Sequence, residues 1–121
     1  MKSILIICDQ SPIGKNTAGE SIRIGAGFVA LGEMINCKVV FTGDSVYLLN
    51  KNIQSVSVGL DNPTEAIELA ELANLELLVL DADLNDSGFT RDDLIDYENL
   101  RIITLEELAD LIEKTDTIFR F

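Results

Sequence analysis

The chain has 121 residues, 47% of them hydrophobic and 25% charged, which suits one folded domain and leaves no length for two. Nine Lys and Arg against 21 Asp and Glu give a formal charge of −12, a surface that repels phosphate backbones and anionic lipid and disfavours direct nucleic-acid or membrane binding. Histidine is absent, which excludes a Ser-His-Asp triad, a Cys-His pair and any imidazole metal site.

Residues 2–8 (KSILIIC) form a near-continuous apolar run, the pattern of a strand buried on both faces. The run is too short for a secretory h-region and lacks a small-residue cleavage site, so a cytoplasmic protein is expected. Residues 9–19 are rich in Pro, Gly, Asn and Ser and read as a loop. Residues 18–36 read as a helix. Ile22, Ala26, Val29 and Ala30 follow one face, and Ile24, Phe28, Leu31 and Ile35 widen the stripe. Gly25, Gly27 and Gly32 weaken that helix, and are tolerable where they let its backbone lie close on a sheet. A second strand is expected over residues 38–42, then a short helix over 45–49 capped by Asp44 or Ser45. Residues 50–54 read as a turn and 55–60 as a short extended segment.

Pro63 opens the next helix with Asn62 as its N-cap; Ile67, Leu69, Ala70 and Leu72 are expected on its buried face. Residues 76–80 (ELLVL) are the third long apolar strand. Residues 81–92 are polar and turn-rich, with a short helix after Thr90. A fourth strand over 101–104, a helix over 105–114 and a closing strand over 117–121 complete the chain. Strands alternating with helical patterns indicate an α/β fold. The expected architecture is a three-layer α/β/α sandwich on a mostly parallel five-stranded sheet of Rossmann-like or flavodoxin-like type.

In such sheets ligands gather outside the carboxyl ends of the strands. That rule brings residues 9–19, 43–45 and 81–88 to one rim. Gly14-Lys15-Asn16 imitates a P-loop, but Asp9 stands where its first glycine belongs and Asn16 replaces the magnesium-binding hydroxyl. Gly25-Ala26-Gly27 lies too deep in its helix to hold a pyrophosphate. Asp81 and Asp83, two carboxylates at a strand end, are candidates for a metal or a nucleophile–acid pair in a hydrolase. Asp81, Asp83, Asn85 and Asp92 also take places 1, 3, 5 and 12 of a calcium loop, although Asp86 stands where that loop needs Gly. A solvated loop with helix caps is the plainer reading, and neither a metal nor a cofactor is expected. Cys8 ends the first strand, and a reactive thiol there needs a nearby cation or helix N-terminus. Asp9 and the acidic surroundings oppose this, so Cys8, like Cys37, reads as a structural thiol.

Ser11-Pro12-Ile13-Gly14, the helix opening Ala18-Gly19-Glu20, the run Phe41-Thr42-Gly43-Asp44-Ser45-Val46-Tyr47-Leu48-Leu49, and the closing Thr115-Asp116-Thr117-Ile118-Phe119-Arg120-Phe121 together resemble the DsrE/DsrF/TusC family. The closing Arg-Phe strand is most similar to its DsrF and TusC branch. The resemblance covers nearly the whole chain, as one domain over residues 1–121. It implies a compact α/β/α subunit that assembles with itself or with DsrE-like and DsrH-like partners. Such complexes pass persulfide sulfur between proteins, for tRNA wobble-uridine thiolation or for sulfur oxidation. Carriers in the family place a cysteine at the end of the third strand, where this chain has Leu80 followed by Asp81. The resemblance therefore implies a non-carrier subunit acting in assembly and docking, its binding rim made of Ser11, Gly14, Gly43, Asp44, Leu80, Asp81 and Asp83. The alternatives are a sulfurtransferase that uses Cys8 as carrier and a metal-dependent hydrolase built on Asp81 and Asp83.

Overall fold

The computed structural model describes residues 2–9, 17–32, 35–50 and 63–121. Five strands form one sheet: β1 (Lys2–Cys8), β2 (Ile35–Phe41), β3 (Glu76–Leu80), β4 (Leu100–Ile103) and β5 (Thr117–Arg120). Their spatial order is β4-β3-β2-β1-β5, and every pairing is parallel. Among the described residues four α-helices accompany them: α1 (Thr17–Ala30), α2 (Pro63–Ala73), α3 (Asp81–Asp86) and α4 (Leu105–Lys114).

Chain direction decides which face each helix covers. From β1 to β4 the chain steps one way across the sheet, and right-handed crossovers hold α1 and α2 on one face. Between β4 and β5 it steps back past β1, so the same handedness sends α4 to the opposite face. Alternate strand residues consequently feed two cores. Ile4, Ile6 and Cys8 of β1 pack with Val39, Phe41, Leu77 and Val79 beneath Ile22 of α1 and Ala66 and Ala70 of α2. Leu5, Val40, Leu78, Leu80 and Ile103 pack beneath Leu108 of α4. The apolar strand runs in the sequence reflect this double burial, each buried Leu or Ile contributing about 1.5–3 kcal/mol.

Several boundaries differ from the sequence expectations. α1 stops at Ala30 rather than near Asn36, because Leu31 and Gly32 donate back to Phe28 and Val29 and Gly32 takes φ +128, a value that only glycine reaches without strain. Asn36 and Cys37 therefore belong to β2, which begins at Ile35, and Ala30 and Leu31 are exposed. The short helix after β2 is a 3₁₀ helix over Gly43–Leu49. Its N-cap is Thr42, with no side-chain cap, in place of Asp44 or Ser45.

On α2 the buried positions are Ala66 and Ala70, with Ile67 half-buried; Leu72 is 87% exposed and Leu69 is also exposed. Small residues face the sheet here because α1 and α2 lie side by side on it. Asn74, at φ 53, ends α2. Leu75 N–H donates to Ala70 C=O at 2.9 Å and Asn74 N–H to Glu71 C=O at 3.1 Å, the bonding of a Schellman cap. Residues 81–86, expected as loop, are helical; the short helix after Thr90 is a 3₁₀ turn, Arg91–Asp93. α4 matches its expected span. Thr104 Oγ1 accepts from Glu107 N–H at 3.1 Å while the Glu107 carboxylate accepts from Thr104 N–H at 3.3 Å, a closed capping box. The expected N-cap Asn62, the extended segment 55–60 and most of the loop after β1 lie outside the described residues. Among the described residues no helix is long and apolar enough to cross a membrane.

Candidate functional site

Because all five strands are parallel, the ends of β1, β2 and β3 open onto one rim, as the alternation of elements implied. Three loops are tied together there by backbone groups that the strands leave unpaired. Cys8 C=O, at the end of β1, accepts from Thr42 N–H at 2.9 Å and from the buried Ser45 hydroxyl at 2.6 Å. Gly43 turns the chain out of β2 at φ +53, and a Cβ at that position would lie 3.5 Å from Asp9 C=O. Its N–H donates to Asp83 Oδ2 at 2.9 Å, joining the β2 loop to α3. Asp9 receives Arg120 twice, Nε at 3.0 Å and Nη2 at 2.6 Å, both on Oδ2. Asp9 N–H also donates to Phe121 C=O at 3.1 Å.

Between the β2 and β3 loops lies a cleft of about 180 Å³ lined by Gly43, Asp44, Tyr47, Asp83, Asp86 and Ser87. Tyr47 stands edge-on to Phe89 with ring centroids 5.2 Å apart, which fixes the aromatic wall. Among the described residues three carboxylates and no Lys or Arg line the cleft, a set that favours cationic groups and opposes phosphate or a persulfide anion.

The candidate residues separate into distinct environments. Cys8 is fully buried, and its side chain belongs to the larger core beneath α1. Cys37 is also buried, and burial pushes its thiol up to about 11 against the pull of Lys38. Neither cysteine forms a disulfide. Leu80, at the end of β3, is 7% exposed and packs into the smaller core with Val40, Leu78, Ile103 and Leu108. Asp44 is exposed on the 3₁₀ helix. Ser11 and Gly14 lie outside the described residues.

Asp81 and Asp83 are two positions apart on α3, a spacing that does not bring side chains face to face, and Asp83 is engaged with the Gly43 amide. The helical conformation of residues 81–86 also replaces the open loop that a calcium site of EF-hand type needs. Among the described residues no three His, Cys, Asp or Glu side chains are grouped to hold a metal ion. Ser45 lies in the segment 43–45 expected at the rim, whereas Arg120 is a rim residue that sequence reasoning did not single out. Arg120 reaches Asp9 only because β5 lies beside β1, a pairing that local sequence pattern does not contain.

A family model described as the DsrE/DsrF-like family matches residues 2–121. No curated protein matches the sequence. Among solved structures, the YchN protein from E. coli is similar with a TM-score of 0.83 at 18% identity, covering 100% of both chains. MTH1491, a protein of unknown function from Methanobacterium thermoautotrophicum, is similar with a TM-score of 0.71 at 14% identity, covering 99% of this chain and 98% of that one. At such identities the two structures speak to fold alone, and both match the α/β fold found here.

Proposed function

The chain belongs to the DsrE/DsrF-like family, and from that premise we propose that it is a non-carrier subunit of a cytoplasmic sulfur-relay complex, working in assembly and partner docking. The observation that carries this reading is the end of β3. The resemblance puts Leu80 at or beside the position where the family's sulfur carriers have cysteine, and its side chain is committed to the core under α4. The segment that follows presents Asp81, Asp83 and Asp86, a charge pattern that disfavours a thiolate or persulfide anion. The same carboxylates suit a basic face on a partner, where complementary charge sets approach and register. Partners of DsrE-like and DsrH-like type that bring such a basic face fit that role. The resemblance of the closing Phe119-Arg120-Phe121 to the DsrF and TusC branch supports a role of that kind.

The test is intact mass after incubation with a low-molecular-weight persulfide donor, alongside a sulfur-carrying relay protein as positive control. No added sulfur on this chain is the expected result. A gain of one sulfur atom that disappears in Cys8→Ala overturns the proposal and makes Cys8 an atypical carrier. A melting shift with magnesium or calcium that vanishes in Asp81→Asn overturns it in favour of a metal-dependent hydrolase.

A further inference from the structure

α4 carries two apolar stripes where one sheet-facing stripe is enough to hold it. Leu108 and Leu111 face the sheet and join the smaller core. Leu105, Ala109 and Ile112, spaced four and three residues apart, make a second stripe about a quarter turn around the helix. Leu105 is 65% exposed and Ile112 39%. Glu107 lies on the opposite flank and reaches Arg101 of β4 at 3.8 Å, so the second stripe turns toward β1 and β5. On that side of the same sheet face stands Ile118, register partner of Leu5 and 39% exposed.

The geometry of the layer explains the gap. A five-stranded face is roughly 19 Å across and a helix about 10 Å wide, so a single helix covers about half of it. The stripe is bordered by Glu106 and Glu113, both exposed and neither in an ion pair among the described residues.

We propose that this groove between α4 and β5 receives an amphipathic helix of a partner protein, one whose apolar face is flanked by Lys and Arg. Charge selects that occupant. A second copy of this chain would bring another −12 against the same acidic border, whereas a basic-flanked helix gives Glu106 and Glu113 their counter-ions while it covers Leu105, Ile112 and Ile118. The groove is separate from the rim, so this proposal and the non-carrier reading fail independently.

The test is fluorescence anisotropy of a labelled Leu/Lys amphipathic helical peptide titrated with the full chain, against a Leu/Glu peptide of the same apolar pattern. Saturable binding of the Leu/Lys peptide alone is expected, weakened about tenfold or more in the Leu105→Asp/Ile112→Asp variant. That variant is more acidic than the parent, so adhesion by bulk charge tightens in it while groove binding weakens. Should it not fold, as judged by circular dichroism, the Glu106→Lys/Glu113→Lys variant supplies the test, with weaker binding expected. No binding by the parent chain, equal or tighter binding by the Asp variant, or unchanged binding by the Lys variant overturns the proposal. So does a dimer in native mass spectrometry that the Leu105→Asp/Ile112→Asp change dissolves.

Discussion

Gly25→Ala and Gly27→Ala, two positions apart in α1, are expected to move stability in opposite directions. Each replacement gains about 1 kcal/mol of helix propensity, because alanine loses less backbone freedom than glycine. At Gly27 nothing lies within 4 Å of the added methyl, so the gain is kept. At Gly25 the methyl would sit 2.9 Å from Val39 Cγ2 and 3.1 Å from Leu75 Cδ2. Leu75 can swing its terminal methyls, but Val39 is β-branched on a central strand and cannot yield without moving β2. Overpacking of that kind costs about 1–3 kcal/mol, which leaves Gly25→Ala destabilised by about 1 kcal/mol net. The propensity contributions cancel between the two variants, so their difference isolates the crowding of α1 on β2. Urea denaturation measures it directly, with unchanged m-values and midpoints shifted to opposite sides of the parent. If both variants gain stability within about 0.5 kcal/mol of each other, the close seating of α1 at Gly25 is wrong.

Asp116 accepts from Ser3 N–H at 2.8 Å and Ser3 Oγ at 3.1 Å, and those bonds, with lesser help from Lys2 and the N-terminus, hold its carboxyl below the usual 3.8. A depressed folded-state value gives stability that is present above 3.8 and lost as pH falls through the lower value, so Asp116→Asn should flatten the acid limb of a urea-midpoint profile; parallel profiles refute this. With its thiol near 11, Cys37 should react with iodoacetamide at neutral pH far more slowly in the native chain than in urea, and equal rates contradict the burial described. Thr104→Ala opens the capping box of α4 and should cost about 1 kcal/mol, seen as a lowered melting temperature, with no change if the box is not formed.

How far the sequence reaches depends on the range of the forces involved. α4 was legible to the residue because its stop and start signals are local: Thr104 and Glu107 close a box three positions apart. β3 was equally clear, since an apolar run bounded by Asn74 and Asp81 has no competing pattern. The apolar periodicity of α1 continues into Ile35 and so predicts too long a helix, whereas Gly32, at φ +128, is the turn that ends it. Hydrophobicity alone points Leu69 and Leu72 of α2 at the core, yet α1 lies alongside, and Ala66 and Ala70, with Ile67 half-buried, are the α2 residues that pack beneath. The meeting of the β1, β2 and β3 ends at one edge was legible from strand alternation alone. Its internal wiring was not, because Gly43 meets Asp83 across forty positions and Arg120 meets Asp9 across 111.

The β1–β5 pairing makes the order of chain completion matter. β1 to β4 join neighbours in sequence, so that four of the five strands can assemble while residues 117–120 are still being synthesised. Until β5 arrives, Ile4 to Ile7 present an open, strongly apolar strand edge, the kind that adds strands from other molecules. The Asp9–Arg120 pair and the Phe28–Phe119 stack, ring centroids 5.7 Å apart, latch that last strand in place. Nascent or truncated chains lacking it should therefore be the aggregating species, and a chaperone that shields the β1 edge the remedy.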